Sequence, residues 1–393
     1  MHRALAVIVV IQIGAAGWCQ SPVRYYPQAA PPTNASRVAG DARPHGAGLT
    51  PLPQGSPRGG PSFISKPGDI RLPGAYMLAG NLKPVEDATT AVLRVMATDV
   101  TIDLGGYSIS NAGASSAECG GIAIFADRVA VRNGSISGFV HDRQYGVVVA
   151  PGVRGYVVEN MRIGDCKTGI GVNPGDIDAA LPRTGRIENC SITDCAAGVV
   201  ALSCAGLTIR NCAVSGCLGL EDSPGGGGGI VLRGIGFVVA GCSFIDNAVG
   251  MAVEAETCRL SDSVFSANRR EGGVIGGTAL HTTMCSFSGN GGAGLVCTAG
   301  GAILNSVFSG NGRAGLELDK GAGITPHYAL ISGCSFLSNA EDGLLHKGGG
   351  KLTADGCLAA GNRGSGLKLQ PGDSDRNCLL EDNGAPGNGG VLR

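Results

Sequence analysis

The chain is poor in aromatic residues (4%) and in charged ones (16%), and its formal net charge is −1. Near-neutrality leaves no electrostatic footprint for DNA, RNA or an acidic membrane surface, so no nucleic-acid partner is expected. A disordered chain would carry more charge and fewer apolar residues, which here make up 43%. Most of the chain is therefore expected to fold. No stretch sustains a 3.6-residue apolar period long enough for helical layers. Beyond the first residues no apolar run reaches membrane length, so no transmembrane span is expected. The single tryptophan, Trp18, lies near the N-terminus, so no tryptophan is left to form a sugar-stacking platform further on.

The opening residues, MHRALAVIVVIQIGAAGWCQ, combine a basic start, an apolar stretch from Ala4 to Ile13 and small residues after it. Residues 1–19 read as an export signal. Trp18 stands before Cys19, where a lipoprotein signal requires a small residue. Residues 20–61 are rich in Pro, Gly, Ala and Ser without periodicity and read as a disordered leader. The localisation expected is secreted, periplasmic or cell-surface. The sequence carries no signal of oligomeric state.

Glycine is the abundant residue, with 68 copies, and it punctuates a repeat. From residue 240 a unit recurs as CSFIDNAVGMAV, CSFSGNGGAGLV, NSVFSGNGRAGLEL and CSFLSNAEDGLLH, with asparagines at 247, 268, 290, 311, 339, 362 and 383. The spacing is near 22 residues, with one longer step of 28 between Asn311 and Asn339 that accommodates an insertion. Apolar residues alternate within each unit, as in Leu316 and Leu318, which is the period of a strand. Strands this short, following one another without helices, stack only if the chain coils and each pairs in parallel with its equivalent one turn later. The repeat resembles the right-handed parallel β-helix family, the architecture of pectate lyases and related polysaccharide-acting proteins. LPGAYMLAGNL, ATDVTIDLGGYSIS and VAVRNGSISGF are similar to the opening segment of bacterial members. The fold expected is all-β: one β-helix over residues 62–393, with 62–90 sealing its first coil. About twelve coils at one strand spacing each would give a length of roughly 58 Å.

Fifteen cysteines then need an account. In ENCSITDCAAGVVALSCAGLTIRNCAVSGC the C-x4-C-x16-C-x4-C spacing imitates a zinc motif, but it is also the spacing of the coil. Cys190, Cys212, Cys242, Cys285, Cys334, Cys357 and Cys378 align in one file, with Ser263 and Ser306 as its other occupants. Cys166, Cys195 and Cys217 align with the later asparagines. Four ligands of a tetrahedral metal converge on a point, whereas a file runs in a line at about 4.8 Å per step. Packing of small buried thiols is expected; export leaves some disulfides open as an alternative. In-register side chains on parallel strands nevertheless stand wider than the ~3.8 Å Cβ separation that a bridge prefers. No metal site is expected. The asparagines are expected at turns, where Asn tolerates left-handed backbone and its amide bonds along a stack. A parallel file of phenylalanines (244, 265, 287, 308, 336) supplies large buried side chains.

Chemistry would sit on an outward sheet face. Counted from Gly315, Leu316 and Leu318 point inward, and Glu317 and Asp319 outward. The same count places Arg233, Glu254, Thr298, Lys347, Lys368 and Gln370 outside, and His346 inside. Insertions at 173–185, 218–229, 319–329 and 370–377 interrupt the period; the first, third and fourth follow the same strand and should rise along one edge. Candidate catalytic residues are Glu317, Asp319 and Lys347. Candidate substrate contacts are Arg233, Glu254, His327, Tyr328 and Lys368. Carboxylates two apart on a strand lie about 6.5–7 Å apart at Cα, near the ~6.5–9.5 Å between the carboxyl groups of inverting glycosidases. Lys347 instead suits the base of a β-eliminating lyase, with Lys368 or a bound calcium neutralising a uronate. No cofactor is otherwise implied. The alternative is a solvated face whose opposite charges pair across rungs.

The family resemblance implies a polysaccharide partner, with lyase, epimerase or hydrolase chemistry, but the sequence lacks the family's catalytic signatures (Asp-Asp, Gly-His-Gly, Arg-x-Lys, Asp-Pro-His-Asp). A non-catalytic surface or envelope module is the second reading. A metal-delivery role would call for a Met- or His-rich patch, and the chain shows none.

Overall fold

The computed structural model describes residues 60–384, apart from 86–89, 112–119, 174–183, 220–227, 320–326 and 349. The segments expected to be an export signal (1–19) and a leader (20–61) lie outside these residues, except for residues 60 and 61. The described residues form 35 strands and no helix. Strands of mostly three to five residues alternate with tight turns, because apolar alternation is broken every few residues by Gly, Asn or Asp.

Three parallel ladders result. The first runs from Gly68–Ile70 to Leu367–Lys368, the second from Ser62–Ile64 to Ser374–Arg376, and the third from Ser108–Ser110 to Leu379–Glu381. Register is kept coil after coil, as in Phe244↔Phe265↔Phe287↔Phe308↔Phe336. These rings stack at centroid separations of 4.8, 4.7, 5.0 and 5.2 Å, which is the strand spacing itself. Residues 62–78 already pair in parallel with the coil that follows them.

The asparagine file is buried, and its amides form a ladder. Asn311 Nδ2 donates to Asn339 Oδ1 (2.9 Å) and to the Phe287 carbonyl (3.0 Å). Its Oδ1 accepts from the backbone N–H and side-chain Nδ2 of Asn290. The expected left-handed backbone falls one residue earlier, at Asp246, Ala267, Gly289, Gly310, Ser338 and Gly361. Asparagine is thus selected here for its amide, which satisfies a buried N–H and a buried carbonyl of the preceding coil and bonds the next asparagine's side chain on the following one.

A second file is set by close approach. In successive coils from Gly121 to Gly343, an added Cβ would stand 2.3–2.7 Å from the carbonyl oxygen of the next coil's glycine. These glycines are not among the positive-φ residues; they are required because no side-chain atom fits between the coils there.

All thirteen described cysteines are free and buried. Thiols of the first file lie against main-chain carbonyls, as Cys285 Sγ does against Thr283 O at 3.3 Å. Burial pushes the thiols of Cys258 and Cys297 up to about 12 and those of Cys285 and Cys334 up to about 11. Cys258 and Cys297, which lie off the aligned files, occupy inward positions of the second and first ladders. Ser263 fills the cysteine position with its hydroxyl 2.7 Å from the Ser261 carbonyl. Cys285→Ser is therefore expected to cost less than about 1 kcal/mol in thermal unfolding, well below a typical core truncation.

Candidate functional site

The outward face of the first ladder carries two files of side chains. One reads Ala123, Val148, Gly171, Val200, Val231, Ala252, Val274, Val296, Glu317, Leu345, Lys368. It is apolar or small for most of its length and turns charged at Glu317. In the other, Arg233 pairs with Glu254 and Glu254 with Gly276; continuing the register one residue past the ladder strands adds Thr298, Asp319 and Lys347. The expected inward and outward parity of Leu316, Glu317, Leu318 and Asp319 holds, with both leucines in the core.

Glu317 is the centre of the charged group. It is only 4% exposed, so this outward position is recessed where a solvated one was the alternative. Arg313 Nη2 donates to Glu317 Oε2 at 3.1 Å, and Lys347 Nζ, from the next coil, donates to Oε1. Lys347 also reaches Asp319 Oδ2 at 3.6 Å, and Arg313 reaches Glu341 at 3.7 Å. A recessed carboxylate is tolerated because each of its oxygens is met by a cation. The structure thus brings Glu317, Asp319 and Lys347 together. Lys368 stands one rung beyond Leu345 and pairs with Asp342 at 3.6 Å. Arg233 and Glu254 pair with each other at 3.3 Å on the same face, on the far side of Gly276 and Thr298. His327 and Tyr328 do not join them: they open the strand His327–Ser332, which belongs to the second ladder.

One more departure concerns an insertion. The segment 370–377 does not rise along the edge of the face. Asp373 turns inward and meets His346, the inward residue of its strand, with Nδ1 and Oδ2 2.6 Å apart. The Asp373 carboxylate also accepts from Leu352 N and Gln370 N, so the loop is tied down over the last coils. The other insertions lie largely outside the described residues. At the opposite end of the face, Asp69 is buried against Arg94 and Arg71. Burial pushes its carboxyl up, but the two guanidinium groups outweigh that and hold it below the usual carboxylate range.

Sequence reasoning missed Arg313, although its i, i+4 relation to Glu317 in GRAGLEL was readable. It also missed Glu271 and Asp342, which precede the glycines at 272 and 343 just as Ala293 and Ala314 precede theirs.

The family described as right-handed β-helix region matches residues 120–306 and 274–391. The chain belongs to that family. Among solved structures, the A-module of the mannuronan C-5 epimerase AlgE6 from Azotobacter vinelandii aligns at a TM-score of 0.56 and 12% identity, covering 82% of this chain and 91% of that one. The corresponding AlgE4 module aligns at 0.52 and 14%, covering 82% and 91%. The periplasmic alginate epimerase AlgG aligns at 0.52 and 11%, covering 81% and 77%. At these identities the likeness establishes the fold. No curated protein matches the chain by sequence. Among the described residues no helix is long and apolar enough to cross a membrane.

Proposed function

We propose that this is an exported β-helix protein that binds a polysaccharide along the outward face of its first ladder, with Glu317, Asp319 and Lys347 at the centre of contact. The observation that carries the reading is the recessed Glu317 carboxylate, gripped by Arg313 and Lys347 beside Asp319. Acid and base groups are clustered on one sheet face there, and groups so held are already oriented for a ligand. Epimerases of alginate and mannuronan built on the same architecture support a carbohydrate polymer as partner. If the protein is an enzyme, two carboxylates and an amine offer general acid–base chemistry of lyase, epimerase or hydrolase type. The residues present do not fit a calcium ion there: Glu317 and Asp319 are paired with Arg313 and Lys347, and among the described residues no three Asp, Glu, His or Cys side chains gather as a metal site. The N-terminal signal and the Pro/Gly-rich leader support export and a tethered position outside the cytoplasm.

A second reading, a non-catalytic surface module, is favoured by the fact that Glu317, Asp319, Lys347 and Lys368 already have ionic partners within the chain.

The test is a panel of uronate and neutral polysaccharides, scored for affinity, unsaturated product, epimerised product and new reducing ends. Lys347→Ala is expected to weaken binding on the order of tenfold, because it releases both carboxylates it holds. Equal affinity and equal rate in wild type, Lys347→Ala and Glu317→Gln would remove the site. Binding lost by these variants in a wild type that forms no product would support the second reading.

A further inference from the structure

Between the two charged groups of this face lies a short neutral window. Its floor is Val274 and Val296, recessed at 6% and 4% exposure over the fully buried Ala293; with Val249 these form an apolar cluster separate from the core. Beside them in the second file stand Gly276 and Thr298. Gly276 is unlike the glycines of the close-approach file. Its φ is not positive, and a Cβ there would meet only Thr298 Oγ1 at 3.3 Å and the Val253 carbonyl at 3.8 Å. Neither backbone strain nor a carbonyl clash demands glycine, so its effect is to leave a notch in a file of larger side chains.

Four carboxylates frame this window. Glu254 adjoins Gly276 from one side, while Glu317 and Asp319 adjoin Val296 and Thr298 from the other. Glu271 borders it at the turn, its Oε1 3.1 Å from where a Cβ on Gly292 would stand. Each acid has its cation: Arg233 for Glu254, Arg270 for Glu271, Arg313 and Lys347 for Glu317, and Lys347 for Asp319. Arg233 and Lys347 lie outboard of their acids along the file, so the order is base, acid, neutral pair, acid, base. Moreover, Glu254 Oε2 and Glu271 Oε2 are buried and are met only by ion pairs that lack hydrogen-bond geometry, with Arg233 Nε at 3.3 Å and Arg270 Nε at 3.6 Å, and the Glu271 side chain is only 9% exposed. Carboxylate oxygens held only by such contacts keep acceptor capacity for a ligand hydroxyl.

We infer that this window is a subsite for an uncharged sugar ring, with Val274 and Val296 against its C–H face and Glu254, Glu271 and Asp319 accepting its hydroxyls. The inference rests on the polysaccharide reading above and narrows it. Carboxylates are acceptors that suit hydroxyl donors, and with every cation of the group already paired to an acid none is left to neutralise the carboxylate of a uronate. An apolar floor with a few convergent polar groups is the usual make-up of a small-molecule site. The substrate class is therefore a neutral polysaccharide, and the reaction class it favours is hydrolysis, not β-elimination or epimerisation α to a carboxylate.

The experiment is titration calorimetry of the full chain with neutral β-linked gluco-, manno- and xylo-oligosaccharides and, separately, with oligomannuronate and oligogalacturonate. Wild type is expected to bind one of the neutral series more tightly than either uronate, by on the order of tenfold. Gly276→Leu, which fills the notch without a backbone conflict, and Glu271→Gln are each expected to weaken the neutral ligand by a similar factor. Thermal unfolding of both variants checks that the fold is kept. Uronates binding more tightly than every neutral oligosaccharide, or neutral affinity unchanged by both variants, overturns the inference. If uronates bind and depend on Lys347 but not on Gly276, the polysaccharide reading survives and the neutral subsite falls. If neither class binds, both fall.

Discussion

Asn311→Leu is expected to lower stability by about 4 kcal/mol or more, among the largest effects of any single side-chain replacement in this chain. The residue makes four buried hydrogen bonds: two accepted by Oδ1 from Asn290 and two donated by Nδ2, to Phe287 O and Asn339 Oδ1. Leucine has a similar volume, so the cost comes from losing those four bonds, at roughly 1 kcal/mol or more each; Asn290 N–H and Phe287 O lose their side-chain partner outright, while Asn339 Oδ1 keeps the Asn311 N–H and Asn290 Nδ2 keeps the Phe265 carbonyl. Coils contact only their neighbours, so the loss should be local before it is global. Hydrogen exchange should show the strands beside residues 290, 311 and 339 opening first, and the melting temperature should fall. A variant within about 1 kcal/mol of wild type would mean that the amide ladder contributes little.

Gly294→Val is expected to prevent native folding altogether. A Cβ at this position would stand 2.5 Å from the Gly315 carbonyl oxygen, 2.9 Å from Asn311 Nδ2 and 3.1 Å from Phe287 Cβ. The first contact is with backbone fixed in the parallel ladder, so it cannot be relieved by a rotamer change. Relief would require separating two coils, which breaks the asparagine and phenylalanine files together. Gly276→Ala in the preceding coil is the control, expected to cost less than about 1 kcal/mol, since its new methyl meets only a threonine hydroxyl within 3.4 Å. The readout is soluble yield and thermal unfolding of both proteins. A folded Gly294→Val with wild-type stability would contradict the close-approach account.

Much of this fold is written in local pattern. The 21–23-residue spacing of Asn247, Asn268, Asn290 and Asn311, and the alternation around Leu316 and Leu318, are enough to place side chains inside or outside. The stacked phenylalanines follow from that, and so does the reach of Lys347 to Asp319. The glycine file was harder to read upstream. Around Gly146, Gly169 and Gly198 the asparagine position holds Cys166, Cys195 and Cys217, so the marker that aligns later coils is missing.

The site was legible in composition but not in depth. Period two says that Glu317 faces out, yet how far an outward residue is sunk depends on its neighbours at the sheet edge. Arg313 comes from the turn before the strand, and turns carry no period. The same reason hid Asp373. Its loop could have gone up or inward, and the choice was made by His346, the Leu352 N–H of the neighbouring strand and the Gln370 N–H at the start of the loop itself.

The outward face of the first ladder is the surface proposed to meet the ligand. Hydrogen–deuterium exchange with and without a saturating oligosaccharide, taken from whichever series binds, tests this most directly. Slowed exchange confined to residues 273–276, 295–298, 316–319 and 344–347 is the predicted result. Protection on the second or third ladder, with those segments unchanged, would contradict it.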